Sequence, residues 1–256
     1  MARQSDLLLR ARLGATFSTH LRRMNQTTMA PVAAATSLSA HDQGPDILYV
    51  DASVLVVNKP AGLLSVPGRG EDKQDCLERR LQAPFPDALT VHRLDMHTSG
   101  LLVLARGKEM QRRLSLLFAN RQVDKRYLAV VIGKLPAVRG EIDLPLSADW
   151  LNRPRQKVDH VAGKRSLTRY LVLGHDPAAN TSRLTLVPET GRTHQLRVHL
   201  QALGHPIVGD LLYGEARYGG AASAASARRL LLHAEQLAFA HPESGERCCF
   251  LCPAPF

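Results

Sequence analysis

The sequence is short of several things, and each shortage removes a class of function. No run of about 18 apolar residues exists, the length a helix needs to cross a bilayer. Only four cysteines occur, Cys76 and the cluster Cys248, Cys249 and Cys252. The lone Cys249-x-x-Cys252 pair has no second ligand pair at zinc-site spacing, so no metal centre is expected. The cluster lies in a strand-like stretch where cysteine acts as a small apolar residue, and reduced thiols suit a cytoplasmic protein. Neither a G-x-G-x-x-G nor a G-x-x-x-x-G-K-[ST] loop is present, so nothing signals a nicotinamide, flavin or ATP site. Aromatic residues make up 5% of the chain, too few for a platform that coats single strands by stacking. Acidic residues are outnumbered, 23 against 33 Lys and Arg, giving a net charge of +10. That balance favours a polyanion such as RNA, held through phosphates, shape and one or two individually gripped bases.

What is present is enough for a substantial core, as one large domain or two closely packed lobes. Residues 1–45 carry Arg3, Arg10, Arg12, Arg22 and Arg23 against Asp6 and Asp42. This basic stretch shows no packing pattern and reads as a disordered or spurious extension, an organellar transit peptide being the alternative. Beyond it, Ile47–Val50 and Val54–Val57 flank Asp51-Ala52-Ser53 as a hairpin, and residues 60–75 form a loop. Asp75 and Glu78 are spaced to cap a short helix ending near Gln82. The period of Met110, Leu114, Leu117 and Phe118 predicts a helix over residues 108–120. Further strands are expected over residues 127–132, 165–173, 182–188, 230–239 and 247–251. A helix is expected over 193–203 and a mobile small-residue loop over 217–227. Strands outnumber helices, so the expected class is α+β with a mostly antiparallel sheet.

The most informative stretch is His92-Arg93-Leu94-Asp95-Met96-His97-Thr98-Ser99-Gly100-Leu101-Leu102. It sets one carboxylate on a tight turn ahead of Leu101–Ala105, which reads as a half-buried strand. Taken alone, an aspartate there usually bonds its own backbone; the alternative is a nucleophile on a rigid scaffold.

This stretch resembles the active-site signature of the RluA family of pseudouridine synthases, and three further blocks follow that family's order. Val56-Val57-Asn58-Lys59-Pro60-Ala61-Gly62-Leu63-Leu64-Ser65-Val66-Pro67-Gly68-Arg69 is similar to its first block, and Lys125-Arg126-Tyr127 to its K-x-Y element. Thr190-Gly191-Arg192-Thr193-His194-Gln195-Leu196-Arg197-Val198-His199 is similar to its final block. Asp143-Leu144-Pro145-Leu146 with Asp149-Trp150-Leu151-Asn152-Arg153-Pro154-Arg155-Gln156-Lys157-Val158 resembles the dual-specificity branch, which acts on 23S rRNA and a tRNA anticodon stem-loop. The ending Arg229–Glu235 does so too.

The resemblance implies a sheet bent around a central catalytic cleft and flanked by helices, with a catalytic domain over 46–256; residues 1–45 are too short, and wrong in sequence, for the S4 RNA-binding domain that some relatives carry. It implies Asp95 as the catalytic carboxylate and Arg197 as its cationic partner, with Arg192 as the alternative partner or a phosphate contact. Tyr127 would stack on the freed uracil and accept or relay a proton. His194 is assigned a structural role. Arg93 would stabilise RNA from which the target base has been extruded. Phosphate contacts are expected from Lys59, Arg69, Arg153, Arg155, Lys157 and the Lys164-Arg165 pair, the 152–157 segment being the strongest as a group. No cofactor, metal or membrane contact and no obligate protein partner is expected, and the chain should act as a monomer on RNA. Two rivals stand beside this reading. A nucleoside hydrolase would need paired carboxylates, and only Asp95 lies in the signature. A non-catalytic RNA-binding or assembly factor would keep the fold without the chemistry.

Overall fold

The computed structural model describes residues 45–214 and 229–256. The expected extension therefore falls outside the described residues, except for Pro45, and so does the expected 217–227 loop. In chain order the strands and helices begin with β1 (Asp46–Val50), β2 (Val54–Lys59), α1 (Leu77–Gln82), β3 (Ala88–Thr90) and β4 (Ser99–Arg106). Next come α2 (Lys108–Ala119), β5 (Asp124–Ile132), β6 (Arg139–Asp143), β7 (Leu146–Ala148) and β8 (Gln156–Val158). The series ends with β9 (Leu167–Asp176), β10 (Thr181–Pro188), α3 (Gln195–Ala202), β11 (Leu232–Ala240) and β12 (Arg247–Leu251). The expected elements are present within a few residues. Short β3, β6, β7 and β8 had no separate signal: β3, β7 and β8 have three residues each, too few to display a period, and β6 (Arg139–Asp143) carries a single buried residue, Ile142.

The described residues fall into two compact units, 45–127 with 232–256, and 128–214 with 229–231, the chain passing from one to the other within β5. In the first unit β2 runs antiparallel to β1 and β4, β3 antiparallel to β4, and β12 antiparallel to β11. The β4–β11 pairing is parallel. In the second, β9 lies antiparallel to both β6 and β10, and β7 and β8 form a separate hairpin.

The first unit corrects the expectation of a half-buried strand after the Asp95 turn. β4 is buried along almost its whole length, because alternate residues enter two different cores. Leu101, Val103 and Ala105 pack with Val54, Val56, Leu114 and Phe239, and α2 adds Met110, Leu117 and Phe118. Leu102 and Leu104 pack with Leu55, Val57, Leu77, Leu81 and Leu94. Gly100 is required for the parallel pairing: its φ is +109°, and a Cβ there would lie 2.3 Å from the Ala234 carbonyl oxygen. A glycine within the signature thus serves the sheet.

The capping expectation for α1 is also corrected. The N-cap is Cys76, without a side-chain bond; Asp75 instead pairs with Arg80, and Glu78 accepts from the Thr90 amide. The first amides of α1 already have acceptors, Leu77 N–H donating to Leu64 O (2.8 Å) and Glu78 N–H to Ser65 O (3.2 Å). With those donors satisfied by the preceding loop, no side-chain cap is needed. α3 begins two residues later than expected because His194 sits in the left-handed region, φ 54°. The turn before it is organised by buried Gln195, whose side-chain oxygen accepts from Arg192 N–H and the Thr190 hydroxyl. Its amide donates to Leu167 O and Thr168 Oγ1.

Candidate active site

Asp95 occupies a turn closed by Thr98 N–H donating to Asp95 O at 3.0 Å. Its neighbours on both sides are gripped by the first sequence block. The Ser65 hydroxyl donates to Leu94 O (2.8 Å) and accepts from Leu94 N–H (3.1 Å), so one side chain satisfies both backbone groups of Leu94. Met96 O accepts from Gly62 N–H (2.8 Å) and from the Lys59 ammonium (3.0 Å). The carboxylate-bearing residue is therefore held without use of its own side chain in these four bonds, which leaves its position fixed before any substrate arrives.

Lys59 is the clearest correction to the expected phosphate contacts. It is fully buried, and its ammonium also donates to Pro60 O and Leu63 O at 2.8 and 2.7 Å. A lysine at the end of a strand, followed by Pro60, reads as a surface charge. Here the loop folds back and supplies carbonyls, so the ammonium organises the Asp95 turn and is not presented to phosphate.

Tyr127 packs beside this turn, against the core that contains Leu94. Burial pushes its phenol well above the ordinary value, and the nearby Asp95 charge adds to the shift. It remains a neutral hydrogen-bond donor at ordinary pH. A neutral phenol can stack on a base and can donate or relay a proton. Arg93 is exposed next to the turn.

His92, which opens the signature and was not singled out, ties it to β4. Its Nε2 accepts from Val103 N–H (3.1 Å) and its ring stacks on Phe118 with centroids 4.4 Å apart. Burial, reinforced by Lys125, lowers its pKa to about 3. The clue available in sequence was that a histidine leading into a strand can use its acceptor nitrogen on that strand's backbone.

The final block lies in the second unit. Arg192 and its neighbours are exposed on the turn, whereas Arg197 is buried in α3. The Arg197 guanidinium makes a two-pronged bond to Asp210, Nε to Oδ2 and Nη2 to Oδ1, both 2.8 Å. Oδ1 also accepts from Leu212 and Tyr213 N–H. Asp210 was not legible beforehand: a lone acid after Gly209 gives no hint of a buried arginine 13 residues earlier. Arg197 further lies 5.0 Å over the Tyr213 ring, and the Tyr213 hydroxyl bonds His194 Nδ1 at 2.7 Å. His194 and His199 are both tied into the fold by their rings; His199 bonds the Thr168 hydroxyl and Leu144 O. Burial lowers the His199 pKa to about 4.

The imidazoles of His92 and His199 make stability depend on pH. Between their lowered folded values and the ordinary value near 6.5, the unfolded chain binds protons that the folded chain refuses. Stability is expected to fall as pH drops from about 6.5 towards 4.5, each imidazole contributing about 1–3 kcal/mol. Urea midpoints at stepped pH check this. A flat profile over that window would contradict neutral, buried His92 and His199.

Of the remaining expected contacts, Arg69, Arg153, Arg155, Lys157, Lys164 and Arg165 are all exposed.

Comparisons with known proteins point to one family. The sequence pattern described as RNA pseudouridylate synthase matches residues 53–202. The chain is 50% identical over 212 residues to the dual-specificity RNA pseudouridine synthase RluA of Escherichia coli strain K12, covering 82% of this chain and 93% of the relative. It is 49% identical over 210 residues to the protein of that name from Yersinia pestis, covering 82% and 99%. Among solved structures it is similar to human RNA pseudouridylate synthase domain containing 1, with TM-score 0.70, 33% identity and coverage of 86% and 87%.

Proposed function

The chain belongs to the RluA family of RNA pseudouridine synthases, and from that premise we propose that it isomerises particular uridines in stem-loops of both 23S rRNA and tRNA. The observation that carries the proposal is the Asp95 turn, clasped from both sides by the Lys59–Ser65 segment with Tyr127 beside it. Support for two RNA classes comes from the relatives whose names state dual specificity.

The reaction breaks the N1–C1′ bond, turns the uracil in place and joins C5 to C1′. N1 gains a proton and C5 loses one, so there is no net redox change or hydrolysis and no cofactor is required. Asp95 supplies the ionised carboxylate, as nucleophile or base. Tyr127 stacks on the loosened uracil, and its hydroxyl relays the proton that C5 loses towards N1. Arg197 keeps the cationic role that the family resemblance gives it, its fork fixed by Asp210. Extruding the uridine costs a few kcal/mol, and exposed Arg93 stabilises the emptied stack with its planar guanidinium. Arg69, Arg153, Arg155, Lys157 and Arg192 contact phosphates, which suits the net charge of +10. We assign the reaction to residues 46–256 acting as a monomer in the cytoplasm, and no step to the residues before them.

The test is tritium release from C5-labelled tRNA and 23S rRNA transcripts. Release with the modified nucleotide retained in the chain is the expected result. Free uracil as product would mean a hydrolase, and tight RNA binding without release from either transcript would mean a non-catalytic factor.

A further inference from the structure

The chain has one tryptophan, and it is on the surface. Trp150 is 70% exposed, the only aromatic among the large exposed hydrophobic residues described. A tryptophan usually buries most of its surface, so one displayed to solvent marks a binding position more often than a packing one. It sits in the 149–155 loop between β7 and β8, beside Leu151, which is also exposed.

The loop is built to hold the indole in place. Asp149 N–H donates to Arg155 O (3.0 Å), Asn152 N–H to Asp149 O (3.2 Å) and Arg155 N–H to Asn152 O (2.9 Å). The Asn152 amide adds a bond to the Asp149 carboxylate at 2.9 Å. The Arg153 guanidinium lies 3.7 Å from the ring centroid, covering one indole face by a cation–π contact. Exposed Arg155 and Lys157 follow, and Lys164, in an isolated bridge to Leu146, brings another cation to the base of the hairpin.

The base of the hairpin is anchored to the platform that carries Arg197. Gln156 N–H donates to the Tyr213 hydroxyl at 2.8 Å, and Leu146 and Val158 pack with Val198 of α3. Tyr213 in turn underlies the Arg197 guanidinium. A ligand held at Trp150 is thus held in fixed register with α3.

We propose that Trp150, backed by Arg153, is a stacking platform for an unpaired base of the substrate RNA other than the target uridine, with Arg155 and Lys157 on the flanking phosphates. The positive rim selects a polyanion over an apolar protein partner, and the flat aromatic face selects an unstacked base over a closed duplex. The site would make recognition depend on the single-stranded loop. The inference deepens, and rests on, the reading that the substrate is an RNA stem-loop.

Because Trp150 is the sole tryptophan, the protein's own indole fluorescence reports on it alone. Titrating the full chain with a substrate stem-loop should quench that signal, while the same stem closed as a continuous duplex should not. Trp150→Ala should raise KM for the stem-loop about tenfold with kcat within about twofold, and Trp150→Phe should restore most of the loss. Unchanged fluorescence at RNA concentrations that saturate turnover, or an unchanged KM in Trp150→Ala, would overturn the platform while leaving the synthase reading intact. Loss of self-association in Trp150→Ala with unchanged KM would assign the face to a second copy of the chain and overturn it equally. Quenching by the stem-loop without any uridine isomerisation would sustain the platform and defeat the synthase reading.

Discussion

Replacing Asp95 with asparagine is expected to lower the rate of uridine isomerisation by about 10⁴-fold or more, the scale on which removal of an essential reacting group acts. Asparagine keeps the shape and removes the charge, and no amide can act as the nucleophile or base that the reaction requires. The turn should survive, because the Ser65, Gly62 and Lys59 bonds that grip it run through the backbone of Leu94 and Met96. Melting temperature and RNA affinity should therefore stay close to those of the unaltered protein. Tritium release under single-turnover conditions, beside a thermal melt and a binding isotherm, separates the possibilities. Residual activity within about tenfold of the original would remove Asp95 from the centre of the mechanism. Equal loss of activity and of folding would return it to a structural turn residue.

Substituting Asp210 should act through stability. Asp210→Asn is expected to cost about 3–5 kcal/mol, the range found when one partner of a buried ion pair is removed. Both side chains are almost wholly buried, at 3% and 0% exposure, so the guanidinium left behind cannot recover its hydration. An amide retains one acceptor for the Leu212 and Tyr213 amides but cannot accept both prongs of the Arg197 fork. Urea unfolding read by far-UV dichroism measures the loss. A cost below about 1 kcal/mol would show that the pair adds little to the fold. Asp75–Arg80, with both side chains well exposed at α1, illustrates the weaker case, where water screens the pair and supports either partner alone.

The elements legible in sequence were those whose signal is local. β1 and β2 with the Asp51 turn, α2 with its apolar stripe, and β12 follow from periodicity and turn residues alone. Asp51 accepts from Ser53 and Val54 N–H, as a turn aspartate should. What escaped was satisfied from a distance. Asp75 looked like a cap until the Leu64 and Ser65 carbonyls took the helix amides. Lys59 looked like a surface cation until the carbonyls of Pro60, Leu63 and Met96 converged on it. Asp210 looked like nothing, because its meaning lies in the arginine it holds. In the candidate site, composition could show that a carboxylate, an aromatic ring and cations were available. Their roles came from the family resemblance, and the bonds that pin the Asp95 turn are visible only once the chain is folded.

The grip of Lys59 on Met96, 37 residues further along the chain, bears on how such a site could be moved or remade. The eleven-residue signature cannot be grafted alone onto another scaffold, since its rigidity resides in a second segment that bonds the backbone of Leu94 and Met96. The smallest portable piece is a composite of Asn58–Ser65 with His92–Gly100, joined by a buried ammonium and a hydroxyl. A designer altering the loop of one would have to redraw the other, and drift in either segment would be constrained by its counterpart long before it reached the carboxylate.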